Sequence, residues 1–104
     1  MGKLNMDELI KQVQSWAFKR GLHKADPTKQ LNKLIEEVGE LASGLNKNKT
    51  EVVIDGIGDV VVVLTILCMQ MGLDLETCLS MAYDQIKHRN GVMVNGLFVK
   101  EVDL

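Results

Sequence analysis

A chain of 104 residues, 46% of them hydrophobic, is long enough for one domain with a single core and too short for two. Its net charge of −2 and pI near 5.6 carry no basic footprint, which disfavours a binder of DNA or RNA backbones, and a small anionic ligand would need a cation's help. Cys68 and Cys78 lie ten residues apart, with neither a CxxC pair nor a histidine at zinc spacing. They indicate no disulfide framework and no zinc site, and are expected as small apolar core residues.

The opening MGKLNMDELIKQVQSW lacks the apolar run and small-residue cleavage site of a signal peptide, and the apolar run from Val60 to Met69 is too short to span a bilayer. A cytoplasmic chain with no membrane partner is expected. Leu9, Ile10, Val13, Trp16 and Ala17 recur at helical spacing and predict a first helix over residues 5–20, stopped by Gly21. The linker GLHKADPT follows, and its Pro27 and Thr28 offer the next helix start. From Leu31, the residues Leu34, Ile35, Val38, Leu41, Ala42 and Leu45 fall at offsets 3, 4, 7, 10, 11 and 14, which predicts an amphipathic helix over 29–46.

The polar NKNKT closes that helix, and Thr50 is a candidate cap for the segment over 51–71. Four consecutive valines favour a strand, and in either conformation Glu51, Asp55 and Asp59 share one face, so periodicity leaves the type open. Length favours a helix, since the segment is about twice a typical strand, and an all-round apolar helix belongs at the centre of the core. Gly72 ends it. A fourth helix is expected over 74–89, with Asp74 as N-cap and basic residues in its last turn, stopped by Gly91. Apolar triplets flanking Asn95-Gly96 predict a hairpin over 92–99 that needs a helix or a partner chain beneath it. The whole, residues 1–104, reads as one domain.

The acids raise the functional question. Glu36, Glu37 and Glu40 precede one loop, and Glu51, Asp55 and Asp59 follow it, the last running directly into VVVVL. On a helical wheel with Leu31 at zero, Glu36, Glu40 and Glu37 fall at about 140°, 180° and 240°, with the apolar stripe centred at about 340°. Glu37 is therefore nearest a helix seam, and if the next helix packs antiparallel, Asp55 and Asp59 face Glu37 and Glu40. Two carboxylates about 5 Å apart repel by roughly 3 kcal/mol at an effective dielectric of 20, and by less than about 1 kcal/mol in water. At a seam they require cations, protons or basic partners; magnesium, hard and oxygen-seeking, suits them and shares its shell with phosphates. The competing reading, a solvated acidic face serving solubility, explains EEVGE equally well and the second acidic set less well.

KLIEEVGELASGL followed by DGIGDVVVVLTIL resembles the MazG-like nucleoside triphosphate pyrophosphohydrolases, and YDQIKHRNGVMVNGLFVKE is similar to their short phage-type members. The resemblance runs from about Trp16 to the C-terminus. It implies an all-α, four-helix bundle with a C-terminal β-hairpin, completed by oligomerisation to a dimer or tetramer. It also implies hydrolysis of a nucleoside triphosphate to monophosphate and pyrophosphate by water attack at the α-phosphorus, with magnesium, or manganese in its stead. The family pairs an ExxE motif with an ExxD motif. Glu37 and Glu40 match the first, with Glu36 the acid before it, and Asp59 matches the end of the second. Where the family has the second Glu this chain has Gly56, and Asp55 is the substitute, which leaves the number of metals open. On this resemblance Glu37, Glu40, Asp55 and Asp59 bind metal, and Glu36 or Glu37 handles the water.

Other residues carry two readings each. Lys87 and Arg89 either clamp phosphate oxygens or complement the end of the fourth helix. Lys33 is either a phosphate contact or an intrahelical partner. Trp16 is a base contact or a core residue; Tyr83 and Asn90 touch sugar or base, or pack and cap; His23 and His88 are expected at the surface. Two rival functions remain: a helical module that binds nucleotide or protein without turnover, with Gly56 marking lost chemistry, and a structural oligomer whose melting is indifferent to magnesium.

Overall fold

The computed structural model describes residues 2–104. Helix α1 spans Met6–Lys19 and is capped reciprocally: Asn5 Oδ1 accepts from the Glu8 amide at 2.8 Å, and Asn5 Nδ2 donates to Glu8 Oε1 at 2.8 Å. A short 3-10 turn, Leu22–Lys24, fills the linker. Helix α2 spans Pro27–Asn46, two residues earlier than the periodicity suggests, because Asp26 accepts from the Thr28 amide at 2.9 Å and Pro27 occupies the first helical position, where its missing N–H costs nothing. Helix α3 spans Thr50–Gln70, so the valine run is helical. Thr50 is not its cap. The Lys49 amide donates to Gly44 O at 2.8 Å, a tight return with Asn48 at φ 56°, and Lys49 takes the N-cap position with no side-chain bond.

Helix α4 spans Leu75–Ile86, and Asp74 caps it by accepting from the Thr77 amide at 3.0 Å. It ends three residues before the expected limit, so Lys87 is the C-cap and Arg89 lies beyond the helix rather than in its last turn. Strands β1, Gly91–Val94, and β2, Leu97–Lys100, pair antiparallel, with Val94 opposite Leu97 across the Asn95-Gly96 turn. Both turn residues have positive φ, 50° and 80°, the geometry that two-residue hairpins favour.

The α2/α3 pair organises the bundle. Gly44 approaches Val52, Gly56 approaches Leu41, and the Gln30 side chain donates to Val63 O at 3.1 Å. Positions fall along α2 as they rise along α3, so the helices are antiparallel. A Cβ on Gly44 would meet Val52 Cγ1 at 2.6 Å, which explains why glycine stands there. Helix α3 also packs on α1, on the 3-10 turn and more lightly on α4, which makes it the central helix. It supplies Gly56, Val63, Thr65 and Ile66 to the buried set, and Thr65 satisfies its hydroxyl on Val61 O at 2.7 Å. Among the described residues α3 is the one helix long and apolar enough to cross a bilayer, a longer stretch than the Val60 to Met69 run because it includes the residues flanking that run.

Much of the apolar stripe on α2 has no cover within the chain. Leu34 and Leu41 are half-buried, whereas Ile35, Val38 and Leu45 are exposed, Ile35 by 63%. No residue of α4 is buried. Two expectations are corrected here. His23 is half-buried, not on the surface, because the 3-10 turn folds its ring onto Phe18 at 4.4 Å. Cys68 is half-buried and Cys78 exposed, so neither is a core residue, because α4 packs only lightly on α3.

Candidate active site

Midway along the α2/α3 seam, helical spacing and antiparallel packing bring opposing carboxylates together. Glu37 is one of two buried polar residues among those described, 6% exposed. Its Oε1 accepts from Lys33 Nζ at 3.1 Å, and its Oε2 is buried with no partner. Lys33 lies one turn earlier on α2 and also reaches Glu36 at 3.8 Å. Its ammonium is held above the ordinary lysine range, first by the hydrogen bond it donates to Glu37 and then by that residue's charge, with weaker contributions from Glu36 and Glu40.

From α3, Asp59 faces the same place. Burial pushes its carboxyl above the usual carboxylate range, and the negative charges of Asp55 and Glu37 push it further. Asp55, one turn before Asp59, is exposed. Asp59 thus stands against two other acids, Asp55 and Glu37, of which only Glu37 is paired with a lysine, and the charge left over is what a cation would neutralise.

The donor set fits a hard divalent ion. All the acidic donors are carboxylate oxygens, and the unpartnered Glu37 Oε2 is costly without a proton, water or metal. Among the described residues no three acidic, imidazole or thiol groups stand close enough together to hold a metal ion between them. Magnesium does not need three, since it commonly takes one or two carboxylates and completes its shell with water and phosphate oxygens. Glu36 and Glu40 lie at the rim, both exposed.

The remaining candidates are not gathered at the seam. Trp16 is 47% exposed on α1, so it is not core, and the Arg20 guanidinium stacks 4.2 Å from its ring centroid. Tyr83 is exposed on α4, and Lys87 pairs with Asp84 at 3.0 Å. Arg89 and Asn90 line a separate recess with His88 and Lys100 where α4 meets the hairpin. The cause is that α4 leans on α3 only lightly, so its basic end stays off the acids of its own chain. Sequence reasoning passed over Gln30, whose bond to Val63 O fixes the α2/α3 register about two helical turns before Glu37; a lone glutamine before an apolar stripe gives no signal of that role.

Comparison with known proteins follows the same geometry. Residues 25–93, which hold α2, α3 and α4, match the MazG nucleotide pyrophosphohydrolase domain family. An uncharacterised 18.2 kDa protein from the rep-hol intergenic region of Haemophilus phage HP1 is 46% identical over 71 residues, 67% of this chain and 44% of that protein. The chain therefore spans less than half the length of that relative. The crystal structure of the Bacillus-conserved MazG protein, a nucleotide pyrophosphohydrolase, has the same fold: the TM-score is 0.71 at 24% identity, over 86% of this chain and 97% of that one.

Proposed function

This chain belongs to the MazG nucleotide pyrophosphohydrolase family, and on that premise we propose that it hydrolyses a nucleoside triphosphate to the monophosphate and pyrophosphate at the α2/α3 seam. The observation that carries the reading is the buried Glu37 carboxylate, with one oxygen unpartnered, opposite an Asp59 whose charge is opposed by its neighbours. Glu37, Asp55 and Asp59, with Glu40 at the rim, would hold magnesium, or manganese in its stead. Bound there, the ion supplies charge neutralisation of the phosphates and a more acidic water.

The side chains divide the remaining work. Lys33 holds Glu37 in the seam and offers its ammonium to a phosphate oxygen. Glu36, exposed beside Lys33, or the free oxygen of Glu37 orients the attacking water and accepts its proton. The water oxygen bonds to the α-phosphorus, the bond to the bridging oxygen breaks, and pyrophosphate leaves. Run in water enriched in oxygen-18, the reaction is expected to place the label in the monophosphate; label in the pyrophosphate would mean attack at the β-phosphorus and refute this mechanism. The competing reading, a binding module without turnover, draws on Gly56, which offers no ligand at the second motif.

The assembly is proposed as a homo-oligomer, a dimer or tetramer. The chain exposes 8268 Å², whereas a compact monomer of its mass exposes about 5,800 Å². Its radius of gyration, 16.6 Å, compares with about 13 Å for a compact domain of this length. The excess, about 2,400 Å² per chain, corresponds to an obligate interface when two copies share it. Ile35, Val38 and Leu45 then find cover, and a second copy can bring the basic end of α4 to the acids. Sedimentation at micromolar concentration is expected to give at least twice 11.6 kDa; a stable monomer would contradict the assembly.

A further inference from the structure

The cysteines have a relationship that their ten-residue separation hides. Gly72, at φ 67°, and the Leu73 amide, which donates to Cys68 O at 2.8 Å, turn the chain back sharply at the end of α3. Asp74 then starts α4, and the Cys78 amide donates to Asp74 O at 3.0 Å in the first turn. The reversal brings both thiols to one apolar recess, shared with Leu31, Leu67, Leu75 and Leu79. Cys78 lies close enough to Cys68 to act on its thiol. Both cysteines are free, and they are the only two in the chain.

We propose that Cys68 and Cys78 form a reversible thiol–disulfide modification site that ties the end of α3 to the first turn of α4 when hydrogen peroxide supplies the oxidant. The two thiols have different tasks. Cys78 is exposed and meets the oxidant first. Its thiolate attacks one peroxide oxygen, the O–O bond breaks, and the departing hydroxide takes a proton to leave as water, giving a sulfenic acid on Cys78. Cys68 is half-buried, and burial, ahead of the effect of Cys78, pushes its thiol up, so it stays protonated until the sulfenic acid stands beside it. The Cys68 sulfur then attacks the Cys78 sulfur, the S–O bond breaks, and the leaving hydroxide takes the Cys68 proton. Two thiols lose two electrons to one peroxide, with two waters formed. The bond matters mechanically because no residue of α4 is buried, so the disulfide would become the firmest attachment of that helix to the bundle.

The test uses the reduced full chain, hydrogen peroxide, thiol counting and intact mass. The expected result is joint loss of both thiols in a chain that is lighter by two hydrogens and still one chain, a peptide joining the two cysteines after proteolysis, and full recovery with dithiothreitol. Cys68→Ser is expected to leave Cys78 as an oxygenated product or an intermolecular disulfide, while Cys78→Ser leaves Cys68 reduced at the same peroxide dose. Oxidation of the unaltered chain that yields only cross-linked chains, or sulfinic acid on Cys78 with Cys68 still free, would overturn the proposal. Retention of both thiols at doses that oxidise Cys78 in Cys68→Ser would overturn it equally.

Discussion

Asp59→Asn is expected to lower pyrophosphate release by on the order of 10³-fold while leaving the fold intact. The amide keeps the shape of the side chain and removes the anion that the proposed reaction needs. Stability is expected to move the other way. Asp59 has a folded-state carboxyl raised above its ordinary value of 3.8 by burial and by Asp55 and Glu37. The folded chain therefore binds more protons than the unfolded chain between 3.8 and that raised value, and the contribution of Asp59 to stability falls as pH rises through this window and stays low above it. Without divalent ions, the melting temperature of Asp59→Asn should match that of the unaltered chain below pH 3.8 and exceed it near neutrality. Lost activity with gained stability is the signature of a residue kept for function. Turnover within about tenfold of the unaltered chain would remove Asp59 from the site.

Gly56→Glu, which would write the full second acidic motif of the family into this chain, is expected to destabilise it by roughly 2–4 kcal/mol instead of improving catalysis. Gly56 is buried, and a Cβ there would stand 3.1 Å from Leu41 Cβ and 3.3 Å from Leu41 Cα. The backbone of α2 cannot yield as a flexible side-chain tip would. The new carboxylate would also enter a seam where Asp59 already resists ionisation. Gly58→Ala, where nothing lies within 4 Å, is the control and should stabilise by about 1 kcal/mol through helix propensity alone. Denaturant melts of the two variants compare them directly; equal stability of Gly56→Glu and the unaltered chain would show that the seam can open.

These two residues also mark what the sequence makes legible. The acids of the seam could be read because carboxylates at helical spacing on two segments joined by a short loop have few other ways to meet. Gly56 could not be read in the same way. A missing acid in a motif looks like lost chemistry, and only the approach of Leu41 reveals a packing reason for glycine. The four valines left helix and strand open because a short apolar run has no period, and the length of the segment from Glu51 onward decided correctly. The regular stripe from Leu31 to Leu45 gave α2 but not its surroundings. Periodicity says which residues avoid water, not whether this chain or another covers them, and Ile35, Val38 and Leu45 are uncovered here.

The basic end of the fourth helix was misjudged for a related reason. Lys87 and Arg89 are expected in a helical last turn, but α4 stops at Ile86 and Lys87 turns to Asp84. Where a helix frays depends on its tertiary support, and α4 has little within one chain. The cysteine pair was invisible because it depends on the reversal between Met71 and Asp74, set by one glycine at positive φ.

Turnover at the α2/α3 seam is tested most directly by pyrophosphate release from a panel of canonical and modified nucleoside triphosphates, with and without magnesium. Magnesium-dependent release of pyrophosphate with equimolar nucleoside monophosphate is the result predicted. No release from any triphosphate by the folded protein in the presence of magnesium, or release indifferent to chelation, would contradict it.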